Sequence, residues 1–342
     1  MRLGVLTGGG DCPGLNAVIR AVVRRGVRTH GMEFIGFQDG WLGVMDDHTQ
    51  ALGIRETTGI LPRGGTILGS SGVDPFRTDD GPDRIVETLK RHRLDGLVAI
   101  GGEGTLGAAV QLAEHGVPIV AVPKTIDNDV SGTDVTVGFH TAVQVATDAV
   151  DRLHSTAESH DRVMLVEVMG RHAGWIAIYA GMAGGADAIL VPEHPFDLDE
   201  VCGHLRRRHA DRSSFSIVVV AEGAVPAPGT MKLPENPLDD NGFPRLGGIV
   251  HHLVPEIEAR TGFESRETIL GHVQRGGSPV SFDRVLGTRF GIAAVDLAVA
   301  GGWGRMVGWQ NHTVCDVAIA DAVATRHLIP PELMREAQVF FG

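Results

Sequence analysis

The stretch "LDGLVAIGGEGT" at residues 94–105 is a short apolar run that breaks off into glycines around a single acid. "VPIVAVPKTIDND" at 117–129 repeats the pattern, its apolar run ending in a lysine, a threonine and two aspartates. Each run reads as a strand that empties into a polar loop. The same unit occurs elsewhere: "RLGVLT" leads into "GGGDCPG", "EFIGF" into "DGW", and "RVMLVEV" into "MGRHAGW". Helical patterns such as "TAVQVATDAVDRLHSTAESH" separate the runs, and after the first glycine turn Leu15, Val18, Ile19, Val22 and Val23 share one helical face. This is the grammar of right-handed β-α-β crossovers. The expected fold is α/β, two Rossmann-like lobes with mainly parallel sheets and a cleft between them, ligands meeting the carboxyl ends of the strands.

At 342 residues and 43% hydrophobic, the chain can build two cores. No run approaches the roughly 18 to 20 apolar residues of a membrane span, and "MRLGVLTGGG" runs straight into glycines, so a cytoplasmic protein is expected. Cys12, Cys202 and Cys315 are far apart and odd in number, which supports neither a disulfide framework nor a zinc site. A net charge of −12 argues against a nucleic-acid binder but leaves room for a small anionic ligand met by local basic clusters. The segment 222–248, rich in Pro, Gly and Asn, reads as an exposed insertion. After it come a helix near "IVHHLVPEIEAR", a strand in "RETILGHV" and a long helix in "FDRVLGTRFGIAAVDLAVA".

"GGGDCPGLN" at 8–16 fits a tight turn equally with a backbone cradle for phosphate, and it has neither the Walker A nor the dinucleotide spacing. In "GGEGT" at 101–105 the acid Glu103 either lies solvated on a turn or meets a magnesium ion that bridges phosphates. In "PKTIDND" the aspartates either cap a turn or serve phosphoryl transfer to an alcohol. On the second reading Asp127 accepts the hydroxyl proton, Asp129 orients metal-bound water or the phosphoryl group, and Thr125 donates to a phosphate oxygen. Arg171 in "VMGRHAG", with Arg266, His272 and Arg275 in "ESRETILGHVQRGGSP", suits a phosphate monoester.

Taken in order, "TGGGDCPGLNAVIR", "GGEGT", "PKTIDND", "VEVMGR" and "LGHVQRGGSP" resemble the motifs of the bacterial phosphofructokinases over essentially the whole chain. The resemblance implies transfer from a polyphosphate donor to the 1-hydroxyl of fructose 6-phosphate, in a homotetramer. It implies a donor site at Gly10, Trp41, Gly72, Val73, Gly102, Glu103, Gly104 and Thr105, with magnesium near Glu103. The sugar phosphate would meet Thr125, Ile126, Asp127, Met169, Gly170, Arg171, Glu222, His272, Val273, Gln274 and Arg275, while Arg162 and Arg266 reach in from a neighbouring subunit. It also implies a large polyphosphate-binding lobe at 1–139 plus about 274–324 and a smaller sugar-phosphate lobe at 140–273 plus about 325–342.

The family contains ATP and pyrophosphate enzymes, and two positions bear on the choice. Gly104 stands where pyrophosphate users commonly carry an aspartate, whereas Lys124 is the residue pyrophosphate users prefer. Steric and like-charge exclusion at 104 is the stronger effect, so ATP is the expected donor and pyrophosphate the alternative. Gly72 replaces an arginine of many relatives, with Arg77 the candidate substitute; a catalytically idle sensor is the reading of another class. An NAD kinase relative would share the glycine turn but not "PKTIDND" or "HVQRGG". For the effector site of some relatives, Arg20 and Arg24 are retained, but His154 replaces an arginine and "RSSFS" at 212–216 carries serines in place of lysines, so strong regulation of that type is not expected.

Overall fold

The computed structural model describes residues 1–210, 214–234 and 246–339. From the amino terminus the chain forms β1 (Arg2–Thr7), α1 (Leu15–His30), β2 (Glu33–Phe37), α2 (Trp41–Met45), β3 (Thr49–Ala51) and α3 (Gly81–His92). It continues through β4 (Gly96–Gly101), α4 (Glu103–Glu114), β5 (Ile119–Thr125), β6 (Val137–Gly138) and α5 (Phe139–His160). Next come β7 (Val163–Val168), α6 (Trp175–Ala183), β8 (Ala188–Leu190), α7 (Leu198–Ala210), β9 (Ser216–Ala221), α8 (Ile249–Thr261) and β10 (Ser265–Ile269). The last elements are α9 (Ser281–Val299), β11 (Arg305–Gln310), β12 (Thr313–Ala318), α10 (Ile319–Ala324) and α11 (Pro331–Gln338).

Two compact units result. The first joins Met1–Thr141 to Arg275–His327, and the second joins Ala142–Gln274 to the segment from Leu328 onward. In the first unit the sheet runs β12-β11-β5-β4-β1-β2-β3, with β6 pairing the end of β5. β1, β2, β4, β5 and β11 are parallel to their neighbours in this core, while β3 and β12 add antiparallel edges. All six residues of β4 are buried, as expected of a strand flanked by two others and covered on both faces. Because β1, β4 and β5 lie side by side and point the same way, the loops that follow them leave the sheet at one edge. The Gly8 N–H donates to the Ile100 carbonyl at 2.9 Å, tying two of these loops together.

Helix α9 returns from late in the chain to cover α1. A Cβ at Gly291 would stand 2.6 Å from the Val18 carbonyl oxygen, and one at Gly287 3.1 Å from the Gly14 carbonyl oxygen, so the two helix backbones touch only because these positions, four apart, lack side chains. Asp283, fully buried in the first turn of α9, accepts from the N–H of Gly138 at 3.0 Å and the N–H of Thr141 at 2.7 Å.

The second unit holds a four-stranded parallel sheet in the order β10-β7-β9-β8. Val163, Leu165, Val218 and Val220 point into one core with Leu198, Leu205, Leu253 and Ile257 from α7 and α8. The strand expected in "RETILGHV" stops at Ile269, and Gly271–Arg275 winds into a 3-10 turn. The segment 222–248 is less exposed than expected: Ala224 is buried, and Met231 and Leu233 pack on the core of the unit, while 235–245 lie outside the described residues. Among the described residues no helix is long and apolar enough to cross a membrane.

Candidate active site

In the first unit the loop after β1 is held from below. Lys124, 2% exposed, sends its Nζ to the carbonyls of Gly8, at 2.8 Å, and Gly10. Burial pulls its ammonium below the usual lysine range, the Cys12 thiol and the carboxylates of Asp11 and Asp127 working the other way. Arg275 lies over the same loop: its Nη1 would be 2.6 Å from a Cβ at Gly10. Beside it, α4 begins at Glu103, and its first intrahelical bond runs from the Leu106 N–H to the Gly102 carbonyl at 3.0 Å. The N–H groups of residues 103–105 therefore point out of the helix start, where an anion is favoured. A Cβ at Gly104 would meet nothing within 4 Å.

The loop after β5 carries the aspartates. The Asp127 N–H donates to Thr125 Oγ1 at 3.1 Å. Asn128 between them is buried with φ 54°, in the left-handed region that asparagine tolerates. Its Oδ1 accepts from the Thr136 N–H at 2.9 Å, its Nδ2 donates to the Asp134 carbonyl at 3.2 Å, and Thr136 Oγ1 donates to the Thr125 carbonyl at 2.6 Å. These bonds hold the two aspartates outward on a rigid bend. Burial, then the charges of Asp127 and Glu103, push the Asp129 carboxyl up to about 7. Glu103 and Asp129 line one small cleft with Thr325 and Arg326, and Arg326 Nη2 lies 3.0 Å from Glu103 Oε1.

In the second unit the loops after β7 and β9 are sewn together. The Glu222 N–H donates to the Val168 carbonyl at 2.8 Å and the Gly223 N–H to the Gly170 carbonyl at 3.1 Å. Gly170 has φ 147°, and a Cβ there would press the Ala173 carbonyl oxygen at 2.8 Å. Met169, Gly170 and Arg171 are thus set beside Glu222, which lines a cavity of about 130 Å³. Arg162 and Arg266 stand near the amino ends of β7 and β10, while Arg171 lies in the loop past the other end of β7, a strand of about 20 Å. Both bind Glu264, Arg162 at 2.8 Å.

Several of the expected contact residues are engaged within the protein itself. Trp41 is buried in the first core, its Nε1 donating to the Thr105 carbonyl in the first turn of α4 at 3.3 Å. Ile126 is fully buried and has only its backbone to offer, and Val73 packs against the first core. Gln274 is fully buried, its amide spent on the Met169 N–H at 3.2 Å and the Gly271 carbonyl at 3.0 Å. Arg275, expected with the sugar phosphate, belongs to the first unit and stands over the glycine loop. Val273 and His272 are exposed. Gly72 faces open space, and Arg77 lies 4.0 Å from Asp74 on its own turn. His154 Nε2 bonds the Gly184 carbonyl at 2.6 Å, Ser216 is buried in β9, and residues 212 and 213 of the "RSSFS" stretch lie outside the described residues. Two residues were missed. Asn128 could have been read from its place between the aspartates; Arg326, in "ATRHLIP", carries no local signal, its partner being 223 positions away.

Comparison with known proteins shows the family. Residues 2–298 match the family model described as phosphofructokinase. The chain is 56% identical to the pyrophosphate–fructose 6-phosphate 1-phosphotransferase of Streptomyces coelicolor, over 100% of both chains. It is 52% identical to the ATP-dependent 6-phosphofructokinase of Mycobacterium bovis, again over 100% of both. Among solved structures, phosphofructokinase from Saccharomyces cerevisiae superposes with a TM-score of 0.81 at 31% identity, covering 94% of this chain and 45% of the yeast chain. The chain belongs to the phosphofructokinase family.

Proposed function

We propose that this phosphofructokinase transfers the terminal phosphoryl group of ATP to the 1-hydroxyl of fructose 6-phosphate, giving fructose 1,6-bisphosphate and ADP. The observation that carries the choice of ATP is the open space over Gly104 at the start of α4. Nothing there blocks or repels the inner phosphates of a nucleotide, and the exposed N–H groups of residues 103–105 favour them. Lys124 does not weigh against this reading, because two of its three donors already hold the carbonyls of Gly8 and Gly10.

Asp127 is the base: it takes the proton of the sugar hydroxyl as that oxygen bonds the terminal phosphorus and the bond to the ADP oxygen breaks. Asp129, whose carboxyl is pushed up by burial and by the charges of Asp127 and Glu103, faces the cleft it shares with Glu103 and would orient metal-bound water or the phosphoryl group. Thr125 Oγ1 accepts from the Asp127 N–H, leaving its own O–H to a phosphate oxygen. Magnesium fits the oxygen donors of Glu103 and Asp129 on one cleft. No cluster of three or more His, Cys, Asp or Glu among the described residues is set to hold a metal, so the phosphates and water would complete the shell. When bound, magnesium would neutralise charge on the transferring phosphates.

Met169, Gly170, Arg171, Glu222 and His272 are the proposed contacts of the sugar phosphate, joined by Arg162 and Arg266 of a neighbouring subunit in a homotetramer. The placement of these two arginines near the amino ends of β7 and β10, with Arg171 past the carboxyl end of β7 in the same chain, supports a role in trans. A cytoplasmic place of action belongs to the same reading.

Pyrophosphate is the second reading, favoured by the residue type at Lys124 and by the pyrophosphate-using relative of Streptomyces coelicolor. A coupled assay with fructose 6-phosphate and either donor, with magnesium present and then chelated, decides. Turnover with pyrophosphate and none with ATP overturns the proposal.

A further inference from the structure

Arg326 is placed by backbone as well as by charge. Residues 130 and 326 form an antiparallel bridge, the His327 N–H donates to the Asp129 carbonyl at 2.9 Å, and His327 Nδ1 donates to the Asn128 carbonyl at 2.9 Å. Ser131 and Thr325 join hydroxyls at 3.2 Å. The segment 325–327 is therefore laced onto the loop that carries both aspartates, and the Arg326 side chain starts beside Asp129. From there its guanidinium grips Glu103 with two nitrogens: Nη2 at 3.0 and 3.2 Å from the two carboxylate oxygens and Nε at 3.3 Å from the second. Both carboxylate oxygens are thus engaged.

Three carboxylates, of Glu103, Asp127 and Asp129, act on one another here, and Arg326 is the cation whose charge reaches this group from the cleft side. Its side chain is 42% exposed and that of Glu103 51%, so the pair is screened by water and can be exchanged. Position 72, a glycine facing open space, offers no guanidinium.

We propose that Arg326 stands in for the divalent cation on Glu103, yields the carboxylate when metal and donor arrive, and then turns its fork onto the donor's phosphates. This rests on the kinase reading above. An arginine suits the exchange, because its planar pair of donors matches carboxylate and phosphate alike. The alternative is a fixed surface pair that only fastens α4 to the end of the unit.

The test uses Arg326→Gln in the full chain, the backbone lacing of 325–327 keeping the fold, as a thermal melt would check. Mn2+ binding to the protein without nucleotide or sugar is followed by electron paramagnetic resonance. Removing the competing guanidinium should tighten Mn2+ binding about fivefold. The same variant should lose kcat while keeping KM for fructose 6-phosphate, and Arg326→Lys should restore part of the loss. Equal or weaker Mn2+ binding in Arg326→Gln, including none detectable in either protein, overturns the proposal, as does an unchanged kcat. The Mn2+ measurement needs no turnover, so a native enzyme that fails to phosphorylate fructose 6-phosphate would sink the substrate reading without deciding this one.

Discussion

Replacing Gly104 with Asp separates the donor readings with little disturbance to the fold. A Cβ at 104 has nothing within 4 Å, so the side chain needs no repacking. An acid in the first turn of α4 interacts favourably with the helix start, by about 0.3–1 kcal/mol. The variant should therefore melt at or slightly above the native temperature. Its carboxylate would nevertheless stand in the space where the inner phosphates of ATP are proposed to lie. One added charge pair at about 5 Å, with an effective dielectric of about 20, costs about 3 kcal/mol. That corresponds to a fall of about two orders of magnitude in kcat/KM for ATP. Pyrophosphate, which has no inner nucleotide phosphate, should escape most of this cost. The assay is the coupled measurement of fructose 1,6-bisphosphate over a range of each donor, with Tm recorded on the same preparations. A folded Gly104→Asp enzyme that uses ATP as well as the native one would refute the reasoning.

Other outcomes follow from the same geometry. Asp127→Asn should lower kcat by about 10²–10⁴ while leaving sugar binding, read by calorimetry, nearly unchanged; a smaller loss would deny it the role of base. Lys124→Met strips the Gly8 and Gly10 carbonyls of their donor and should cost about 1–3 kcal/mol in urea unfolding, an unshifted midpoint removing the strut. Arg162→Ala and Asp127→Asn chains, each inactive alone, should regain activity when refolded together, because an intact site can then be built from two chains; continued inactivity of mixed assemblies argues against sharing. Burial pulls His140, His204, His209 and His327 below the usual imidazole value, so the unfolded chain takes up protons that the fold refuses. Stability is then full above about pH 6.5 and lost as pH falls below it, and His204→Gln should flatten the decline of Tm with acid.

What was legible in the sequence was what local pattern encodes. The strands at 2–7, 33–37, 96–101, 119–125 and 163–168 are apolar runs closed by glycine or by polar loops, and parallel packing sets those loops on one edge of each sheet. The chemistry of "GGEGT" and "PKTIDND" came from the same loops. What escaped was decided by partners distant in the chain. β11 and β12 form an antiparallel edge whose pairing with β5 joins residues some 185 positions apart, 305 with 120. β9, in "SIVVVA", is an inner strand of the second sheet, but its short apolar run leads straight into a Pro-rich segment. The direction of a side chain was equally hidden. Trp41, Lys124 and Gln274 carry groups suited to a ligand, but each is turned inward to a carbonyl or an amide that the sequence does not place nearby.

The late return of α9 and β11 to the first unit bears on how this chain can be made. When β5 leaves the ribosome, its neighbour β11 lies some 180 residues from being synthesised, and the face of α1 that α9 covers is bare. At about 5–20 residues per second the wait is roughly 10 to 40 seconds. During it, Ile119 to Val122 present an open strand edge, and Ala17, Val18 and Ala21 present an apolar stripe, to whatever else is nascent. The second unit, continuous from 142 to 274 apart from its last helix, is synthesised within that interval, so the amino-terminal unit is the one left open longest.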